Sequence, residues 1–175
     1  MLSIQPLDPL WFGRAAEHQS RLTMPAGALG RLLEIGRQLC AIQETLRPQT
    51  EPAAVVVMAA DHGIAAEGVS AYPQEVTGQM VANFLQGGAA INVLARRQTA
   101  AVLVVDMGVA ALPLPEGLAE ATRALLVRPA GLPRGTANFL HGPAMTPAQV
   151  ARAIEAGREL VVSRLLSAGV RVVAL

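Results

Sequence analysis

Asp61-His62-Gly63 places a carboxylate and an imidazole directly after an apolar run, in a chain with only three histidines. Such a pair can bind a metal, orient each other, or hydrogen-bond the amides of the loop that follows. A metal needs further ligands. The other histidines, His18 and His141, lie far away in sequence, and a catalytic zinc takes three protein ligands. "ADHG" also occurs in metal-dependent phosphoesterases, whose sites use several more Asp and His ligands and a Ser or Thr nucleophile. The third reading is one wall of a pocket for an organic ligand. The next stretch, "EGVSAYPQEVTGQ", supplies Ser70, Tyr72 and Gln79 as polar handles beside apolar neighbours, the composition of a pocket for a flat aromatic molecule. Tyr72 is the only tyrosine. Pro73 can begin a helix, with Glu75 in its favourable first turn. Helix capping would use much the same residues. Downstream, Arg134-Gly135-Thr136-Ala137-Asn138 gathers a guanidinium, backbone amides, a hydroxyl and a carboxamide, groups that hydrogen-bond a ribose or a phosphate. A plain surface loop would also be polar.

The elements that carry these residues follow from pattern. Residues 5 to 24 read as a helix with a start at Asp8-Pro9. After Pro25, Gly27 and Gly30, apolar residues from Leu29 to Ile42 recur at helical spacing. "RPQTEP" is a loop. From Ala53 the texture changes. "AAVVVMAA" reads as a strand buried on both faces, "QEVTGQMVANFLQGG" and "AAINVLARRQT" as helices, and "AAVLVVD" as a second buried strand ending at Asp106. "TRALLV" is a third candidate strand, 147–168 a helix opened by Thr146-Pro147, and "GVRVVAL" a last strand. Strands alternating with helices imply right-handed crossovers and a parallel sheet. The division is a helical segment, 1–50, and an α/β domain, 51–175. In open α/β sheets ligands bind beyond the carboxyl ends of strands, which is where Asp61, His62 and Asp106 fall. Gly87-Gly88 matches no Walker or dinucleotide fingerprint and reads as a helix break.

Composition excludes several classes. The chain has 175 residues and is 52% hydrophobic but 3% aromatic, so its core is built from Ala, Val, Leu and Ile. The formal charge is +1 and the arginines are scattered, which gives no footprint for nucleic acid. No apolar run approaches the roughly 18 residues needed to span a bilayer. The N-terminus lacks a basic-then-apolar signal pattern, and the single Cys40 reads as a buried structural thiol, so a cytoplasmic setting is expected.

"LTMPAGALGRLLEI", "AADHGIAAEGVSAYPQEVTGQMVANFLQGGAAINVLARR", "VVDMGVA" and "RGTANFLHGPAMT" occur in this order. Together they resemble the N-terminal half of the nicotinate-nucleotide:dimethylbenzimidazole phosphoribosyltransferase family. The resemblance implies a doubly wound α/β domain, a mostly parallel sheet with helices on both faces, plus a small helical domain, in a homodimer. It implies transfer of the phosphoribosyl group from nicotinate mononucleotide to 5,6-dimethylbenzimidazole, giving α-ribazole 5′-phosphate and nicotinate, with neither cofactor nor metal. Ser70, Tyr72, Pro73 and Gln79 would border the base. Arg134, Gly135, Thr136 and Asn138 would lie near the nucleotide, and Asp61, His62 and Asp106 would line the pocket. The chain departs from the family's "LTKPPGSLG" at Met24, Ala26 and Ala28. The family's phosphate-gripping "GEMGIGNTT" loop and catalytic glutamate are expected C-terminal to Leu175, so no catalytic residue is assigned within the chain. It is expected to be a truncated or split half, self-associating through an open sheet edge. The competing expectation is a non-catalytic base- or nucleotide-binding subunit.

Overall fold

Asp8 starts the first helix as its sequence dictates. Its carboxylate accepts a hydrogen bond from the Leu10 amide at 2.9 Å, and Pro9, which needs no amide partner there, opens α1 (Pro9–Ser20). The computed structural model describes residues 5–175. Helix α1 is shorter than the 5–24 read from the sequence: residues 5–8 lead in without helical structure, and the chain turns after Ser20. Helix α2 (Arg31–Gln43) begins after Gly30, whose φ of +50° only glycine adopts easily. Gln19 ties α1 to α2. Its amide donates to the Leu33 carbonyl at 2.9 Å, and its oxygen accepts from Arg37 Nε at 2.6 Å. Ala15, Cys40 and Ala41 are buried in this unit, Met1–Thr50. Burial pushes the Cys40 thiol above its ordinary value of 9.0, so it stays protonated and inert near neutrality.

The second unit, Glu51–Leu175, is α/β. Its sheet contains β1 (Ala53–Ala59), β2 (Ala101–Asp106), β3 (Leu126–Val127) and β4 (Val172–Ala174), in spatial order β3-β2-β1-β4. All three pairings are parallel, with Val57 opposite Val104 and Ala59 opposite Asp106. Between β1 and β2 lie α3 (Glu75–Gln86) and α4 (Ala90–Arg97). The buried Asn92 secures their junction. Its carboxamide nitrogen donates to the Phe84 carbonyl at 2.9 Å, and its oxygen accepts from the Ala89 amide at 3.2 Å. Between β2 and β3 lies the short helix α5 (Glu120–Arg123). Helix α6 (Pro147–Leu160) is opened by a reciprocal cap between Thr146 and Gln149 and runs on into a π-helical segment, Val161–Leu166.

Adjacent residues of β2 feed opposite cores, since successive side chains of a strand point to opposite faces. Val104 packs with Val81, Leu85 and Val109, the α3 side. Val105 packs with Ala54, Val56, Leu160 and Leu165, the α6 side. The doubly wound expectation therefore holds. Two strand readings need correction. Strand β1 is not buried uniformly on both faces: Ala54 and Val56 are buried, Ala53, Val55, Val57 and Ala59 are only partly so, and Met58 is 47% exposed. The third strand is reduced to Leu126–Val127, because the residues before it form α5 and Pro129, without an amide hydrogen, follows closely. Among the described residues no helix is long and apolar enough to cross a membrane.

Candidate functional site

A cavity of about 550 Å³ opens at the carboxyl end of β1. The strand end (Val57 to Ala60) and Asp61-His62 form one side. Ile64 and Ala65 of a 3-10 turn (Gly63–Glu67), then Val69, Ser70, Tyr72, Pro73 and Gln74, form the rim. Val76, Thr77, Met80 and Phe84 of α3 close it. The helical contribution repeats at i, i+4 and i+8, which is one face of an α-helix. The walls are mostly apolar, and Asp61, His62, Ser70, Tyr72, Gln74 and Thr77 are the polar exceptions.

Asp61 is 3% exposed, and its environment explains why. One carboxylate oxygen, Oδ2, accepts from the Ala110 amide at 2.7 Å, and the Asp61 amide donates to the Gly108 carbonyl at 3.0 Å. Its own carbonyl accepts from the Thr136 amide at 3.1 Å. Asp61 therefore joins three segments: the turn after β1, the turn after β2, and the Arg134–Asn138 loop. Asp61 satisfies a loop amide and also lines the cavity.

The Arg134–Asn138 loop backs the cavity wall without lining it. His62 and Thr136 form a parallel β-bridge, and the Gly63 amide donates to the Thr136 carbonyl at 3.1 Å. The approach is so close that a Cβ on Gly63 would sit 2.6 Å from the Asn138 nitrogen and 2.8 Å from the Thr136 carbonyl oxygen, so glycine is required there. Gly135, at φ +90°, passes against the Asp61 carbonyl. Asn138 donates from Nδ2 to Glu67 Oε1 at 2.6 Å, and His141 Nε2 lies 3.5 Å from the same oxygen. Arg134 is exposed and its guanidinium makes no hydrogen bond or ion pair with another described residue.

Of the residues expected at the base, Ser70, Tyr72 and Pro73 share the rim, with the Tyr72 amide donating to Ser70 Oγ at 3.2 Å. Gln79 does not line the cavity. It is exposed on α3, while Thr77 and Met80, two before and one after it, are lining residues. Asp106 does not line it either. Its Oδ1 accepts from the Gly108 and Val109 amides at 3.1 and 2.7 Å, and its Oδ2 lies 3.3 Å from Arg128 Nε. The carboxylate is consumed by its own turn. Sequence reasoning missed Val76, Met80 and Phe84, which the helical period starting from Val76 would have found, as well as Thr77 and Glu67. No group of three or more His, Cys, Asp or Glu among the described residues is arranged to hold a metal ion. The ligand set that the phosphoesterase reading requires is thus lacking there.

A family model described as a phosphoribosyltransferase matches residues 4–175. The chain belongs to the phosphoribosyltransferase family. It is 53% identical over 154 residues to the nicotinate-nucleotide–dimethylbenzimidazole phosphoribosyltransferase of Pseudomonas aeruginosa (strain UCBPP-PA14). It is 51% identical over 154 residues to the protein of that name from Thermus thermophilus. The alignments cover 88% and 87% of the chain but 42% and 43% of those relatives, so it spans less than half their length. The crystal structure of the phosphoribosyltransferase from Thermus thermophilus superposes with a TM-score of 0.83 and 45% identity, over 95% of this chain and 48% of that one.

Proposed function

We propose that this chain contributes the base-binding wall of an enzyme that transfers the phosphoribosyl group of nicotinate mononucleotide to 5,6-dimethylbenzimidazole. The observation that carries the proposal is the apolar cavity of about 550 Å³ at the carboxyl end of β1, in a chain about half identical to enzymes named for that base. A flat bicycle with two methyl groups suits walls of Val, Ala, Ile, Met and Phe carrying a few polar groups. Tyr72, 72% exposed at that rim, offers its ring face to the base. Stripping water from the base and holding its ring nitrogen in line with the anomeric carbon is the work assigned to this wall. Ser70, Tyr72 and Pro73 border the base in this reading. Arg134, Gly135, Thr136 and Asn138 serve the nucleotide, with the unpaired Arg134 as a ready partner for phosphate.

Transfer leaves a proton on the base that a carboxylate must accept. Neither strand-end carboxylate is well suited to it. Asp61 holds the Ala110 amide, and Asp106 holds two amides and faces Arg128. We therefore assign the proton acceptor to neither, in keeping with the family expectation of a glutamate beyond Leu175. The expected homodimer and cytoplasmic location belong to the same proposal. The lone, buried Cys40 is compatible with a reducing compartment.

Calorimetric titration of the chain with dimethylbenzimidazole tests the reading directly. Saturable binding that benzene-sized apolar compounds do not match is the expected result, and no heat at millimolar base would overturn it. Following nicotinate release from nicotinate mononucleotide in the same samples separates two readings. Base binding without turnover fits a wall that needs further residues or a non-catalytic subunit. Turnover by the chain alone would place the proton acceptor within it.

A further inference from the structure

Glu67 has no part in the cavity lining, yet it is the point where the cavity wall and the nucleotide-side loop are clasped together. It ends the 3-10 turn whose Ile64 and Ala65 face the cavity. Its Oε1 accepts from Asn138 Nδ2 at 2.6 Å and lies 3.5 Å from His141 Nε2, and the carboxylate side chain is only 34% exposed. Asn138 is held from both ends. While its Nδ2 is fixed by Glu67, its Oδ1 accepts from the Leu140 amide at 3.0 Å. The other end of the same turn is pinned chiefly by backbone, through the His62–Thr136 bridge and the Gly63 amide, which lies 3.1 Å from the Thr136 carbonyl and 3.4 Å from its Oγ1. The turn is thus tied to the 136–141 segment at its start and at its finish. Only the second tie is made entirely by side chains.

We infer that Glu67 is a positioning residue: by gripping Asn138 and His141 it fixes the Ile64–Ala65 wall against the 136–141 loop, and so sets the affinity for the base. The inference rests on the functional reading above. The alternatives it excludes are a solvated acid of no consequence and a residue that only adds to stability. A hydrogen bond to a charged carboxylate is stronger than a neutral one. A glutamine at this position keeps an acceptor for Asn138, whereas alanine does not.

The test titrates dimethylbenzimidazole into the wild type, Glu67→Ala, Glu67→Gln, Asn138→Asp and the double variant Glu67→Gln/Asn138→Asp, with the melting temperature of each recorded. Glu67→Ala is expected to weaken base binding on the order of tenfold, with a shift in melting temperature too small to account for it, and Glu67→Gln to recover most of that loss. Asn138→Asp sets two carboxylates against each other and is expected to weaken binding at least as much. The double variant restores a donor opposite an acceptor and is expected to regain affinity. Wild-type affinity in Glu67→Ala, or a double variant no better than Asn138→Asp alone, would overturn the inference. A wild type that does not bind the base would sink the functional reading instead. Amide hydrogen exchange then still decides the clasp: faster exchange at Leu140 in Glu67→Ala supports it, and unchanged exchange removes it.

Discussion

The turns after β1 and β2 begin alike and end differently. Each strand finishes beside an aspartate, Ala59 and Asp106 being partners in register and Asp61 following two residues later. Asp106 spends its carboxylate locally, on amides two and three residues ahead, with Arg128 alongside. Asp61 spends its carboxylate on Ala110, 49 residues away, and its main chain on Gly108 and Thr136. One turn closes on itself, while the other gathers its neighbours around a cavity. Identical chemistry at equivalent strand ends thus produces a local cap in one place and a long-range junction in the other. What separates them is which backbone donors the fold brings within reach.

The sharpest way to break this contrast is Gly63→Ala. The new Cβ meets three backbone atoms of 136–138 at 2.6 to 2.8 Å, none of which can swing aside. A loss of about 3 kcal/mol in denaturant unfolding is expected, together with loss of base binding. Asp61→Ala comes next. It leaves the Ala110 amide without its partner beside a buried site, and a cost of about 2 kcal/mol is expected, with base affinity falling because the cavity wall loses its tie. Asp106→Ala should cost about 1 kcal/mol, the scale of a lost cap, and leave base affinity unchanged. Equal effects of the two aspartate variants on base affinity would erase the distinction. The smallest effect is expected for Arg128→Ala. Its side chain is 47% exposed, so the pair with Asp106 should be worth under about 0.5 kcal/mol, read from the same unfolding curves at low and high salt.

Much of the scaffold was legible from periodicity and punctuation. Thr146-Pro147 announced α6, the valine-rich runs announced β1 and β2, and the alternation of strand and helix announced a parallel sheet. The limits were local. A two-residue strand, Leu126–Val127, is set by pairing with Val104 and Val105, which no window of six residues reveals. The rim was legible through Ser70, Tyr72 and Pro73, because loops next to a strand end carry polar groups that need a reason. Polarity singled out Gln79, but helical phase decides the lining, and Thr77 and Met80 lie on that face. For Asp106, a sequence does not say that the carboxylate will find its donors at home, on the Gly108 and Val109 amides. The tie between Glu67 and Asn138 spans 71 residues and leaves no trace in spacing.

Strand β2 serves two cores with consecutive residues, Val104 to the α3 side and Val105 to the α6 side. Side chains alternate with a period of two, so adding or deleting one residue within Ala101–Asp106 would exchange the two sets and turn Asp106 to the wrong face. The same change in the exposed turn ahead of it, around Gln98 and Thr99, alters only a connection. Length variation in descendants of this sequence should therefore be admitted at the entrance to the strand and refused within it.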